Sequence, residues 1–200
     1  MSVTMVEKRR AGIGVAGKAL LAEATVLARC RHPGVVELRG VDTDGDEVAV
    51  TTAIPSGPRL HEARLSIEEM AGMTAVIATT VADLHDIGVA HCALSADSVI
   101  ISHDGRAVVD GFSSARLLEG SPGRWANHPL SRADDRALGA LLAGLLATED
   151  AQLPSPDARR WPFRRRHRPG DAAASLAGWL AAAARGDVTS RRLAEAMAED

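Results

Sequence analysis

The chain has no tyrosine and only two phenylalanines, three tryptophans and two cysteines. Cys30 and Cys92 are too few for a disulfide framework or a cysteine-built metal site, and they suit a reducing cytosol. Lysine is nearly absent as well: Lys8 and Lys18 stand against 21 arginines. This bias, with the missing tyrosine, matches the coding habit of a GC-rich genome. No long apolar run is present. The most apolar stretch, Ala172 to Ala184, spans 13 residues and is mostly alanine, too short to cross a bilayer. No apolar segment follows Lys8-Arg9-Arg10, so no signal peptide is expected. An excess of positive charge is missing too. A net charge of −3 and a pI near 6.2 carry no chain-wide signature of nucleic-acid binding, and nucleic acid is not expected as a partner. What remains, 46% hydrophobic and 24% charged over 200 residues, is the composition of a globular domain with a sizeable core. Its expected location is the cytoplasm.

Hydrophobic periodicity predicts the elements. Val3–Val6 reads as a short strand, followed by a glycine-rich joint at Gly12–Gly17. Leu20, Leu21, Ala24 and Leu27 mark a helix over 19–31 that stops at Pro33-Gly34. Val35–Val41 and Glu47–Ile54 read as strands around Thr43–Asp46. Pro55–Pro58 is a linker. A long helix is predicted over 66–86, then a hairpin of 99–102 with 106–109 turning at Gly105. Helices over 133–147, 172–185 and 190–198 follow. The order is that of an α+β protein without internal repeats.

Two constellations carry possible chemistry. Gly12, Gly14, Gly17 and Lys18 match a phosphate-cradling loop up to its last position. There Ala19 replaces the hydroxyl that would hold Mg²⁺. A P-loop-type nucleotide-binding protein is one alternative on this ground. The second constellation lies in the middle of the chain, where Leu84-His85-Asp86-Ile87-Gly88-Val89-Ala90-His91-Cys92-Ala93-Leu94 resembles the catalytic segment of protein kinases. Phe112-Ser113-Ser114-Ala115-Arg116, Glu23 with His32-Pro33-Gly34-Val35-Val36, and Asp134–Gly139 add matches in the same order. The chain thus resembles a bacterial serine/threonine kinase-like family. The resemblance implies a bilobal fold: a truncated N-lobe over 1–55, without its first strands and glycine-rich loop, and a helical C-lobe over 56–200.

The same resemblance implies lost chemistry. Its catalytic base falls on Ala93, its metal ligands on Ser98 and Gly111, and its A-P-E acid on Leu130. Pro55 lacks the N–H that would meet an adenine ring. Vestigial cofactor-binding positions would be Lys8 paired with Glu23, Thr52 as the gatekeeper and Ala53 in the hinge. Leu27, Leu38, His91 and Phe112, anchored on Asp134, would form a stacked spine. No catalytic residue, no metal ligand and no cofactor is expected, although ATP with Mg²⁺ is weighed. The reading that follows is a pseudokinase acting as a binding or regulatory module without phosphotransfer. Its alternatives are an unorthodox ATP-dependent enzyme using Lys8 with Asp97 or Asp110, and a truncated product with little function of its own.

One further cluster points to a partner. Arg159, Arg160, Arg164, Arg165, Arg166 and Arg168 put six arginines into ten residues beside Trp161 and Phe163. Without them the net charge would be −9, from −3 minus 6. Guanidinium forks at this density suit a protein partner that is acidic or phosphorylated.

Overall fold

The computed structural model describes residues 4–12, 14–146, 179, 182–183 and 185–199. Strand β1 (Thr4–Gly12) leads into helix α1 (Val15–Arg29), and β2 (Glu37–Asp44) and β3 (Glu47–Pro55) form a hairpin. These strands make one antiparallel sheet in the order β1-β3-β2. Between β2 and β3, Gly45 takes a φ of +53° in a tight turn that an L side chain resists. Val48, Val50, Thr52 and Ile54 are buried because β3 is the central strand.

Helix α2 (Ile67–Asp86) is the longest element. Ser66 accepts a bond from the Glu69 N–H, and the Glu69 carboxylate accepts one from the Ser66 N–H, a reciprocal N-terminal cap. Its buried side chains, Met70, Met73, Ile77, Val81 and Leu84, recur every three or four residues on one face. Two small antiparallel ribbons follow. They pair β4 (Val89–Ala90) with β7 (Arg116–Leu117), and β5 (Val99–Ile101) with β6 (Ala107–Val109). Helices α3 (Pro122–Trp125), α4 (Pro129–Leu146) and α5 (Ser190–Glu199) complete the described residues.

The first strand is longer than periodicity predicts, because it runs through the charged segment Glu7–Arg10. An edge strand has a solvated flank, so its pairing with β3 overrides the weak β-propensity of those residues. The predicted glycine joint shrinks accordingly. Gly12 ends β1 and Gly17 lies inside α1. Most of the helix predicted over 172–185 lies outside the described residues, as does the arginine cluster at 159–168.

A two-lobed arrangement with separate cores is not what these residues form, and that expectation is corrected. One apolar cluster crosses the Pro55–Pro58 linker, joining Val26, Leu27, Val36 and Ile54 to Met73, Ile77, Val99, Phe112, Leu138 and Leu193. Backbone bonds cross in the same place. The Val36 N–H donates to the Val109 carbonyl at 3.0 Å, and the Val109 N–H to that of Gly34 at 2.8 Å. Three small antiparallel sheets and their helices share this core. A satellite cluster of Leu20, Ala24, Val48 and Val50 seats α1 on β3.

Candidate functional site

The polar centre of the molecule is built around Asp134, on α4. Its carboxylate accepts the His91 N–H at 2.7 Å and the Cys92 N–H at 2.8 Å, and it lies 3.3 Å from His85 Nε2. Cys92 is the one described non-glycine residue with a positive φ, +62°. The paired bonds to Asp134 hold that strained turn in place. Asp135, the next residue, accepts the Ser190 N–H at 2.8 Å and so ties the start of α5 to the same helix.

His91 is fully committed. Its Nε2 lies 2.8 Å from the Asp110 carbonyl, an oxygen that can only accept, so the Nε2 proton sits there. Its Nδ1 accepts the Ala93 N–H at 3.3 Å. The ring meets Phe112 edge-on with centroids 4.8 Å apart. Burial pushes the imidazole below its usual range, outweighing the carbonyl bond and the nearby carboxylates. His91 therefore packs and bonds as a neutral ring and has no nitrogen left for proton transfer. Phe112 and Leu27 lie in one apolar cluster, with Leu38 packed against it.

The remaining candidates are also engaged. Ser98 Oγ donates to the Ser95 carbonyl at 2.8 Å and accepts the Ser95 N–H at 2.9 Å. Asp110 forms an ion pair with Arg59 at 2.9 Å, and Asp97 lies 2.9 Å from His61 Nδ1. Gly111 has a φ of +82°, a left-handed position where a side chain would be strained. Among the described residues no group of three or more His, Cys, Asp or Glu could hold a metal ion.

Of the predicted cofactor positions, Glu23 is held by Arg9, while the Lys8 side chain lies outside the described residues. The Arg9 guanidinium donates to both Glu23 oxygens, at 2.6 and 2.9 Å. Those bonds, above all, hold its charge on and raise its pKa against the cost of burial. Arg9 stands on the α1 face of β1. Lys8 pairs through its backbone with Thr51. Thr52 and Ala53 lie in the middle of β3, paired on one side with Glu7 and Val6 and on the other with Leu38 and Glu37. With both flanks of the strand taken, their backbone belongs to the sheet. The Arg9–Glu23 pair lines an open groove of about 460 Å³ together with Ala16, Leu20 and Ser113.

The glycine run is not a phosphate cradle. A Cβ on Gly17 would stand 2.5 Å from the Gly12 carbonyl oxygen, so the glycines let α1 fold tightly back onto the end of β1. Arg9 and Arg59 are the participants that sequence reasoning missed. Extending β1 to Gly12 would have pointed to Arg9. Nothing in the sequence pattern marks Arg59.

No family model matches the chain. The chain is 29% identical over 108 residues to ephrin type-A receptor 7 of Gallus gallus and 27% identical over 108 residues to ephrin type-A receptor 8 of Homo sapiens. To ephrin type-B receptor 3 of Danio rerio it is 30% identical over 105 residues. The matches cover 51%, 51% and 50% of the chain, but 11%, 11% and 21% of those proteins. The chain thus spans a small part of the relatives it matches. These findings correct the expected family. A bacterial serine/threonine kinase-like family is not what the comparisons return; by name, the relatives are ephrin receptors. The readings built on that family, a kinase-like module without phosphotransfer and an unorthodox ATP-dependent kinase, are set aside with it.

Proposed function

We propose that the chain is a recognition domain that holds an acidic or phosphorylated segment of a partner protein. The observation that carries this reading is the commitment of the polar centre. Asp134, His91 and Ser98 spend their hydrogen-bonding capacity on the backbone, and the Asp110 carboxylate is paired with Arg59. They build a rigid support, and none of these four is poised as an acid or base. Two further points favour recognition: half of the chain is similar to proteins named as receptors, and Arg159, Arg160, Arg164, Arg165, Arg166 and Arg168 concentrate charge suited to anions. A cytoplasmic setting belongs to the proposal, supported by the free thiols of Cys30 and Cys92. No helix among the described residues is long and apolar enough to cross a membrane.

The test is fluorescence polarisation with labelled oligo-glutamate, phosphoserine and oligo-lysine peptides at low and high salt. Binding of the two anionic probes, weakened by salt and by changing Arg164, Arg165, Arg166 and Arg168 together to Gln, is expected. Equal affinity for the cationic probe, or transfer of radiolabelled phosphate from ATP by the purified chain, would overturn the reading.

A further inference from the structure

Among the described residues no strand pairs with the outer edge of β1. Half of the backbone N–H and C=O groups of Thr4–Gly12 therefore face away from β3 without a described strand beside them. The strand is long and regular, pairing with β3 over nine consecutive positions without a shift. Sheets blunt such edges against indiscriminate pairing with bulges, prolines, short strands or charged side chains, and β1 uses only the last. On the opposite edge, β2 breaks register between Leu38 and Gly40. β1 has neither a bulge nor a proline.

Charge selects the occupant. β1 carries Lys8, Arg9 and Arg10 against Glu7, a net +2 in a chain of net −3. Arg9 turns inward to Glu23. On the opposite face stand Val6, 67% exposed, and Arg10, whose side chain is 62% exposed with only a long ion pair to Glu47 at 3.8 Å. Residues four apart on a strand share a face. A strand laid antiparallel along this edge would meet Arg10 first and Val6 last. It would satisfy both with an acidic residue followed, four positions on, by an apolar one. A second copy of β1 would bring +2 against +2 and is disfavoured by that charge.

We infer that β1 is a docking edge onto which an extended acidic segment of a partner protein adds as a further strand. The inference rests on the proposed recognition of acidic partners and assigns a site and a binding mode to it. Main-chain bonds to this edge supply affinity, and Arg10 and Val6 read the side chains.

The test uses the full chain and a blocked peptide of alternating Glu and Thr ending in Val, followed by calorimetry and by amide hydrogen exchange. Binding is expected to slow exchange of β1 amides. N-methylation of alternate peptide residues should abolish binding, because it removes the donors that face β1 while keeping every charge. Arg10→Glu should weaken binding at least about tenfold, and its unchanged melting temperature would show that the fold is intact. Equal affinity of the N-methylated peptide, or an unaffected Arg10→Glu variant, would overturn the docking edge. If the quadruple Arg-to-Gln variant alone lost the peptide, the recognition reading would stand and this site would fall. A salt-sensitive dimer abolished by Arg10→Glu, without peptide binding, would also overturn it.

Discussion

At the residue scale, burial and hydrogen-bond commitment decide what each side chain can do. Phe112 is fully buried against His91, whereas the Asp110 carboxylate is part-exposed and held by a single arginine. Phe112→Ala should therefore cost about 3–5 kcal/mol, as a buried aromatic truncation. Asp110→Ala should cost about 1 kcal/mol or less, as loss of a partly solvated ion pair. Urea denaturation of both variants measures the difference, and equal losses would contradict the packing described. His91 supplies a pH dependence. Its folded pKa lies below the unfolded value, so the unfolded chain binds the proton more readily. The stabilisation is complete above the unfolded pKa of about 6.5 and is lost as pH falls through the folded value. Between those two values stability should fall with falling pH, by at most ~1.4 kcal/mol per pH unit. That fall should flatten in His91→Gln when stability is measured from neutral to mildly acid pH. Cys30 shows burial acting on a thiol, its pKa pushed up to about 12. It should resist alkylation at mildly alkaline pH until the protein unfolds.

At the element scale, the close approach of α1 to β1 makes a sign prediction. In an exposed helix, Gly→Ala stabilises by roughly 1 kcal/mol. At Gly17 the new methyl would stand 2.5 Å from the Gly12 carbonyl, a contact that backbone must move to relieve. Gly17→Ala should therefore lower the melting temperature, and a rise would show that the joint is looser than described. Much of this level was legible in the sequence. The periodicity of Met70 to Leu84 with the Ser66–Glu69 cap, and the Gly105 turn between two β-rich runs, are local signals, and the structure keeps them. The course of β1 was not legible. Its charged middle reads as loop until the β3 partner is known, and strand pairing is a non-local property. The same gap hid Arg9. Arg59 and Asp110 are 51 positions apart and meet only because the chain folds back beside β5.

At the scale of the whole molecule, the order of short motifs does not fix the identity of the chain. The comparisons return ephrin receptors over half of its length, where the motifs had suggested another family. Division into lobes fares similarly, since the linker at Pro55–Pro58 is visible in sequence while a core that passes beneath it is not. The shared core makes a testable claim about cooperativity. Leu193, on α5, is fully buried in the same cluster as Leu27 on α1, although 166 positions separate them. If that cluster unfolds as one unit, Leu193→Ala should cost about 2–5 kcal/mol, the usual range for such a truncation. It should do so globally: the most protected amides of α1, β3 and α2 should all lose the same free energy of exchange. Circular dichroism and the exchange of β3 amides should then report one denaturant midpoint in the variant as in the parent. Two cores would behave otherwise. Protection would fall around α2 and α5 while β3 kept its original value, and the two probes would separate. That outcome would restore a boundary near Pro55 and confine the effect of α5 to its own half of the chain.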